Sequence, residues 1–109
     1  MQTGNGKGQG TNLDAGFEWL NEWYRRQCDG DWEHQYGIQM ETLDNPGWSI
    51  EIDLAETELE ARSFTTVQIE RSEHDWVHLR IEGAKFLGYG GVGNLNEIVT
   101  AFRNWAESL

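Results

Sequence analysis

Residues 36–54 read YGIQMETLDNPGWSIEIDL, and the alternation within this stretch decides the fold. Tyr36, Ile38, Met40 and Thr42 share one side of an extended chain, while Gln39 and Glu41 point to the other. Trp48, Ile50, Ile52 and Leu54 repeat the pattern against Ser49, Glu51 and Asp53. Between the two runs lies Asn45-Pro46-Gly47. Proline pre-sets the φ of a second turn position and glycine accepts positive φ at the third. The spacing therefore predicts a β-hairpin closed by a type II turn.

Upstream, Thr11 followed by Asp14 reads as a capping box opening a helix that runs to about Gln27. Leu13, Phe17, Leu20 and Tyr24 draw one apolar face, which Trp19 and Trp23 widen, and Asp29-Gly30 ends it. Downstream, Thr65, Val67 and Ile69 mark a third strand over residues 63–71. The polar run Ser72-Glu73-His74-Asp75 leads to a fourth, residues 76–82, in which Val77, Leu79 and Ile81 alternate against Trp76, His78 and Arg80. A short fifth strand, residues 85–89, precedes a glycine loop. Asn94 with Glu97 then caps a last helix striped by Leu95, Ile98, Val99, Phe102, Trp105 and Leu109.

Alternating rather than continuous apolar runs favour an antiparallel sheet. The expectation is an α+β fold: a four- to five-stranded antiparallel meander with N-terminal and C-terminal helices packed on one face. The other face then carries Gln39, Glu41, Glu51, Asp53, His78 and Arg80, with Trp76 at a rim that a partner can reach. Trp19, Trp23 and Trp105 belong to the core. At 109 residues the chain makes one domain, residues 13–109, behind a flexible Gly-rich arm, residues 1–12.

A net charge of −11 with eight basic residues argues against a nucleic-acid ligand, because phosphate neutralisation needs Lys and Arg. Six Trp, four Phe and three Tyr argue against wholesale disorder. The single Cys28 rules out an internal disulfide framework and fits a reducing compartment. No apolar run nears the roughly 20 residues of a membrane span, and no charged-then-apolar leader opens the chain. The expected location is cytoplasmic, with no membrane partner.

From Gln27 to Ala61 there is no Lys or Arg, yet there are ten carboxylates: Asp29, Asp31, Glu33, Glu41, Asp44, Glu51, Asp53, Glu56, Glu58 and Glu60. Trp32, Tyr36 and Trp48 are interleaved with them. Such a field repels nucleic acid and speeds encounter with a basic macromolecule, and the aromatics offer anchors that charge alone does not. A solvated acidic surface with its tryptophans in the core is the plainer explanation.

Gly88-Tyr89-Gly90-Gly91-Val92-Gly93 spells G-x-G-x-x-G between a strand and a helix. The sequence supplies no second parallel strand and no ribose-binding acid beyond that helix, so a dinucleotide site does not follow. The bland function is a strand-to-helix connection needing positive φ and close packing. Cys28-Asp29-Gly30-Asp31-Trp32-Glu33-His34 is rich in ligand types, and a metal- or small-ligand-binding loop is the alternative reading of the chain. Only the acids at 29, 31 and 33 match a calcium loop, and one Cys with three scattered His is thin for zinc. His34, His74 and His78 stand at no catalytic spacing, so no enzyme and no cofactor are expected.

The run Trp32-Glu33-His34-Gln35-Tyr36-Gly37-Ile38, followed by Glu41-Thr42-Leu43-Asp44-Asn45-Pro46-Gly47-Trp48, resembles the immunity protein 53 family of bacterial polymorphic toxin systems. Trp19-Leu20, Trp23-Tyr24, Cys28-Asp29-Gly30-Asp31 and the glycine loop before Asn94-Leu95 fit the same pattern, over about Leu13 to Trp105. The resemblance implies a small α+β protein that binds and neutralises a cognate toxin. An acidic surface without an obvious apolar patch leads one to expect a monomer or a 1:1 complex with the toxin. Charge makes that toxin basic, with a nuclease as the natural guess. The expected contacts are Asp29, Asp31, Glu33, Glu41, Glu51, Asp53, Glu56, Glu58 and Glu60, with Trp32 or Trp76 as an aromatic anchor.

Overall fold

The computed structural model describes residues 12–108; the Gly-rich arm through residue 11, the Thr11 cap and Leu109 lie outside them. Helix α1 (Asn12–Gln27) and a single turn α2 (Trp32–Gln35) lead into five strands: β1 (Ile38–Leu43), β2 (Gly47–Asp53), β3 (Val67–Ser72), β4 (Asp75–Ile81) and β5 (Lys85–Gly90). Helix α3 (Leu95–Glu107) follows. The α+β architecture read from periodicity is present, with every strand pair antiparallel. The turn α2 lies where the sequence suggested only a loop.

The strand order is β1-β2-β5-β4-β3, not the sequential meander expected. Residues 54–66 carry the chain from β2 to the far edge of the sheet. The physical reason lies in β5, whose inward positions alternate Phe86, Gly88 and Gly90 and so leave room for a helix to lie on the strand. A Cβ on Gly88 would stand 2.6 Å from Ile98 Cγ2 of α3. The strand that lets α3 come closest takes the centre, and the polar β3 takes an edge.

The hairpin of β1 and β2 is present, but its turn differs from the type II expectation. Gly47 is the first residue of β2, paired with Leu43, and its φ is not positive. Its small size matters instead, since a Cβ there would meet Gly90 O at 2.4 Å.

Register fixes the two faces. Ile50, Ile52, Val77, Leu79 and Phe86 face α1 and α3, where Leu20, Trp23, Ile98, Val99 and Phe102 complete the core. Phe102 sits at its middle, edge-on to Trp23 at 5.3 Å and to Phe86 at 5.0 Å. Burying each such side chain contributes about 1.5–3 kcal/mol. Leu54 and Leu59 close one end, held by Thr57 Oγ1 donating to Leu54 O at 2.7 Å. Gln39, Glu41, Glu51, Asp53, His78 and Arg80 fall on the opposite, helix-free face, as alternation predicted, together with Leu87 and Tyr89.

Candidate functional site

The acid-only stretch separates into three groups with different employment. In the loop after α1, Asp29 Oδ1 accepts from the amides of Asp31 and Trp32, each at 2.9 Å. Those amides, Trp32 first, hold the Asp29 carboxyl below its ordinary range. Glu33 accepts from the amides of Asp29 at 3.0 Å and Gly30 at 2.8 Å, and Gly30 takes a φ of 91°. Cys28 Sγ donates to Tyr24 O. The loop's carboxylates thus cap its own backbone, and among the described residues no three His, Cys, Asp or Glu side chains gather to hold a metal. Asp31 is exposed and makes no capping bond.

The second group borders α1. Glu58 accepts from Trp23 Nε1 at 2.8 Å and from Gln27 Nε2 at 3.3 Å. Glu60 accepts from the Glu56 amide, and Glu56 is exposed at a φ of 63°. The third group lies on the helix-free face. There Lys85 Nζ bridges Glu51 at 3.0 Å and Asp53 at 2.6 Å, and Asp53 also accepts from the Gly37 amide. The paired carboxylates, Asp53 first, raise the Lys85 pKa above its ordinary value. Glu41 is exposed on the same face.

The two aromatic candidates part company. Trp32 is 3% exposed, and its Nε1 donates to Ala55 O at 2.9 Å. It packs among Trp23, Tyr24 and Tyr36 and presents no surface to a partner. Trp76 is half-buried on the helix-free face, 5.0 Å from the His78 ring. His78 pairs across the strands with Tyr89, and its Nε2 lies 3.0 Å from Glu70 Oε2. Arg80 sets its guanidinium over the Tyr89 ring at 5.7 Å.

Trp76, His78 and Tyr89 line a groove of about 670 Å³ between the tips of two hairpins. Asn45 and Pro46 of the β1–β2 turn form one wall; Glu70 and Ser72 of β3 with Glu73 and His74 of the β3–β4 turn form the other. Sequence reasoning named Trp76 and His78 but missed Tyr89, Glu70 and Glu73. Alternation in Lys85–Gly90 could have placed Tyr89 outward. Only the strand order brings the two tips together.

The sequence of this chain matches the family model described as Immunity protein 53 over residues 17–107. The chain belongs to the immunity protein 53 family. No curated protein and no solved structure matches it. In this immunity protein 53 member the most recognisable marks have structural work. Trp32 fills the core and Glu33 ties the loop. Trp48 Nε1 donates to Val92 O at 3.1 Å, fastening the β1–β2 hairpin to the glycine loop. Gly88, Gly90 and Gly91 have no positive φ, and their Cβ positions are occupied by neighbours. At Gly88, Gly90 and Gly91 the glycine run is therefore a close-packing device, without the positive φ expected of it, while the Cβ position of Gly93 is open. No helix among the described residues is long and apolar enough to cross a membrane.

Proposed function

We propose that this immunity protein 53 family member binds and neutralises a cognate protein toxin by occlusion rather than by chemistry of its own. Family membership is the observation that carries this reading. Electrostatics support it. Arg25, Arg71, Arg80, Lys85 and Arg103 already pair with carboxylates, and Arg62 donates to the α3 carbonyls of Trp105 and Ala106 and to Ser108 O. The surplus negative charge is left for a partner.

The partner is basic, and a toxin that cleaves nucleic acid fits, because its substrate cleft must carry Lys or Arg. Asp31, Glu41, Glu56 and Glu60 offer carboxylates to it, with Trp76 as the aromatic anchor. Asp29, Glu33, Glu51, Asp53 and Glu58 add to the field while holding the fold. The complex is 1:1, formed in the cytoplasm by the domain from residue 13 onward.

The test is survival of cells expressing the product of the adjacent reading frame, with and without this protein. Rescue accompanied by a directly co-purifying complex supports immunity. A toxic neighbour that is neither bound nor neutralised refutes it.

A further inference from the structure

Five of the six indole N–H groups donate within the chain: Trp19 to Glu107, Trp23 to Glu58, Trp32 to Ala55 O, Trp48 to Val92 O and Trp105 to Ser63 O. Trp76 Nε1 has no acceptor among the described residues. The Trp76 N–H reaches the surface and is free to donate to a partner, and such rings combine apolar area with a polar handle. Trp76 also lines the groove between the hairpin tips.

The ionisable groups lining that groove are Glu70 and Glu73 with Arg71, His74 and His78. Arg71 borders it, but its guanidinium is turned to Asp75 at 2.7 Å and to Glu97 of α3. Glu70 is largely exposed beside His78, and Glu73 is exposed at the turn. Glu41 lies on the same cross-strand row as Tyr89 and His78, through Ser49. The face already accepts a guanidinium over a ring, in the placement of Arg80 on Tyr89.

We propose that this groove receives an arginine-bearing loop of a basic protein partner. The guanidinium lies against Trp76 between Glu70 and Glu73, while a carbonyl oxygen of the same loop accepts from Trp76 Nε1. Arginine suits the site better than lysine, because its plane stacks on an aromatic ring while its edge donates to carboxylates. This deepens the immunity reading and rests on it for the identity of the partner.

The first arm of the test uses no toxin. N-acetyl-arginine amide is titrated into the full chain and the six indole N–H resonances are followed. The expected result is a saturating shift of the Trp76 resonance, weaker with the lysine analogue and lost in a folded Glu70→Lys/Glu73→Lys variant. A Trp76 resonance that moves no more than that of Trp19 overturns the proposal. The second arm uses the toxin complex. Trp76→Ala should raise the dissociation rate about thirtyfold, the scale of an interface hot spot. Glu18→Lys, exposed on α1 and away from the helix-free face, should leave that rate within about twofold, as surface positions outside a hot spot do. Wild-type complex that tolerates Trp76→Ala within the same margin overturns the groove as the contact. If wild-type protein forms no complex, the immunity reading fails, and the first arm still decides the groove.

Discussion

Ala84 holds a φ of 59°, beside Gly83 at the same value. Glu82 and Lys85 exchange both backbone hydrogen bonds across this pair, at 2.9 and 3.1 Å, so the β4–β5 connection is a two-residue hairpin with both central residues left-handed. Glycine adopts that conformation without penalty, whereas a Cβ costs about 1–2 kcal/mol. Replacing Ala84 with Gly recovers this strain but loosens the unfolded chain by about 0.4–1 kcal/mol. The expected net gain is roughly 0.5–1 kcal/mol, read as a higher urea midpoint with unchanged slope. Gly88 is the reverse case. A Cβ there would lie 2.6 Å from Ile98 Cγ2 and 3.2 Å from Phe86, inside a packed core. Gly88→Ala should cost about 1–3 kcal/mol by overpacking, measured in the same denaturation series. Neither residue announces itself in the sequence: Ala84 is an ordinary residue in a short connection and Gly88 sits in an alternating run, and the need for positive φ or a missing side chain appears only with the backbone in place.

Among the elements, the junction of β3, β4 and α3 is held by one polar knot. Asn94 is 6% exposed; its Nδ2 donates to Asp75 at 2.9 Å and Glu97 at 3.1 Å, and its Oδ1 accepts from the Trp76 amide. The sequence placed Asn94 and Glu97 as a capping box, but Asn94 makes no side-chain capping bond and is spent on this knot. Bonding from Asn94, then from Arg71, holds the Asp75 carboxyl below its ordinary range, and Arg71 does the same for Glu97. Groups with depressed folded pKa values stabilise fully above their unfolded values, near about 4, and lose that contribution as pH falls through the folded ones. Arg71→Gln should therefore flatten the acid limb of the stability curve below about pH 4 and return both carboxyls towards ordinary titration in NMR. An acid limb as steep as the wild-type one would show that the knot does not carry it. The two long helices, the hairpin and the two faces were legible because each follows from local periodicity. The strand order was not, because the pairing of β2 with β5 joins residues 32 to 42 positions apart and depends on how closely α3 can approach Gly88.

Over the whole molecule, nineteen carboxylates face eight basic groups, leaving a net charge of −11. The acidic stretch was plain in the sequence, but not which acids are already committed. Asp53 and Glu58 look like surface charges until Lys85 and Trp23 Nε1 are seen bonded to them. Reversing those two would strike the fold before any partner. Asp31, Glu41 and Glu56 are exposed, and no carboxylate hydrogen bond ties them to the rest of the chain among the described residues. Acids of this kind act at a distance, guiding a basic partner in before contact. Steered association reaches about 10⁸ M⁻¹s⁻¹ at low salt and falls towards about 10⁵–10⁶ M⁻¹s⁻¹ once screened. An Asp31→Lys/Glu41→Lys/Glu56→Lys variant should accordingly bind a basic toxin more slowly, with a shallower dependence on ionic strength. Its dissociation rate and unfolding midpoint should stay near those of the parent. Stopped-flow mixing over a series of salt concentrations separates the two rates. A faster dissociation at an unchanged association rate would place these carboxylates inside the contact, where desolvated pairs govern how long a complex lasts rather than how fast it forms.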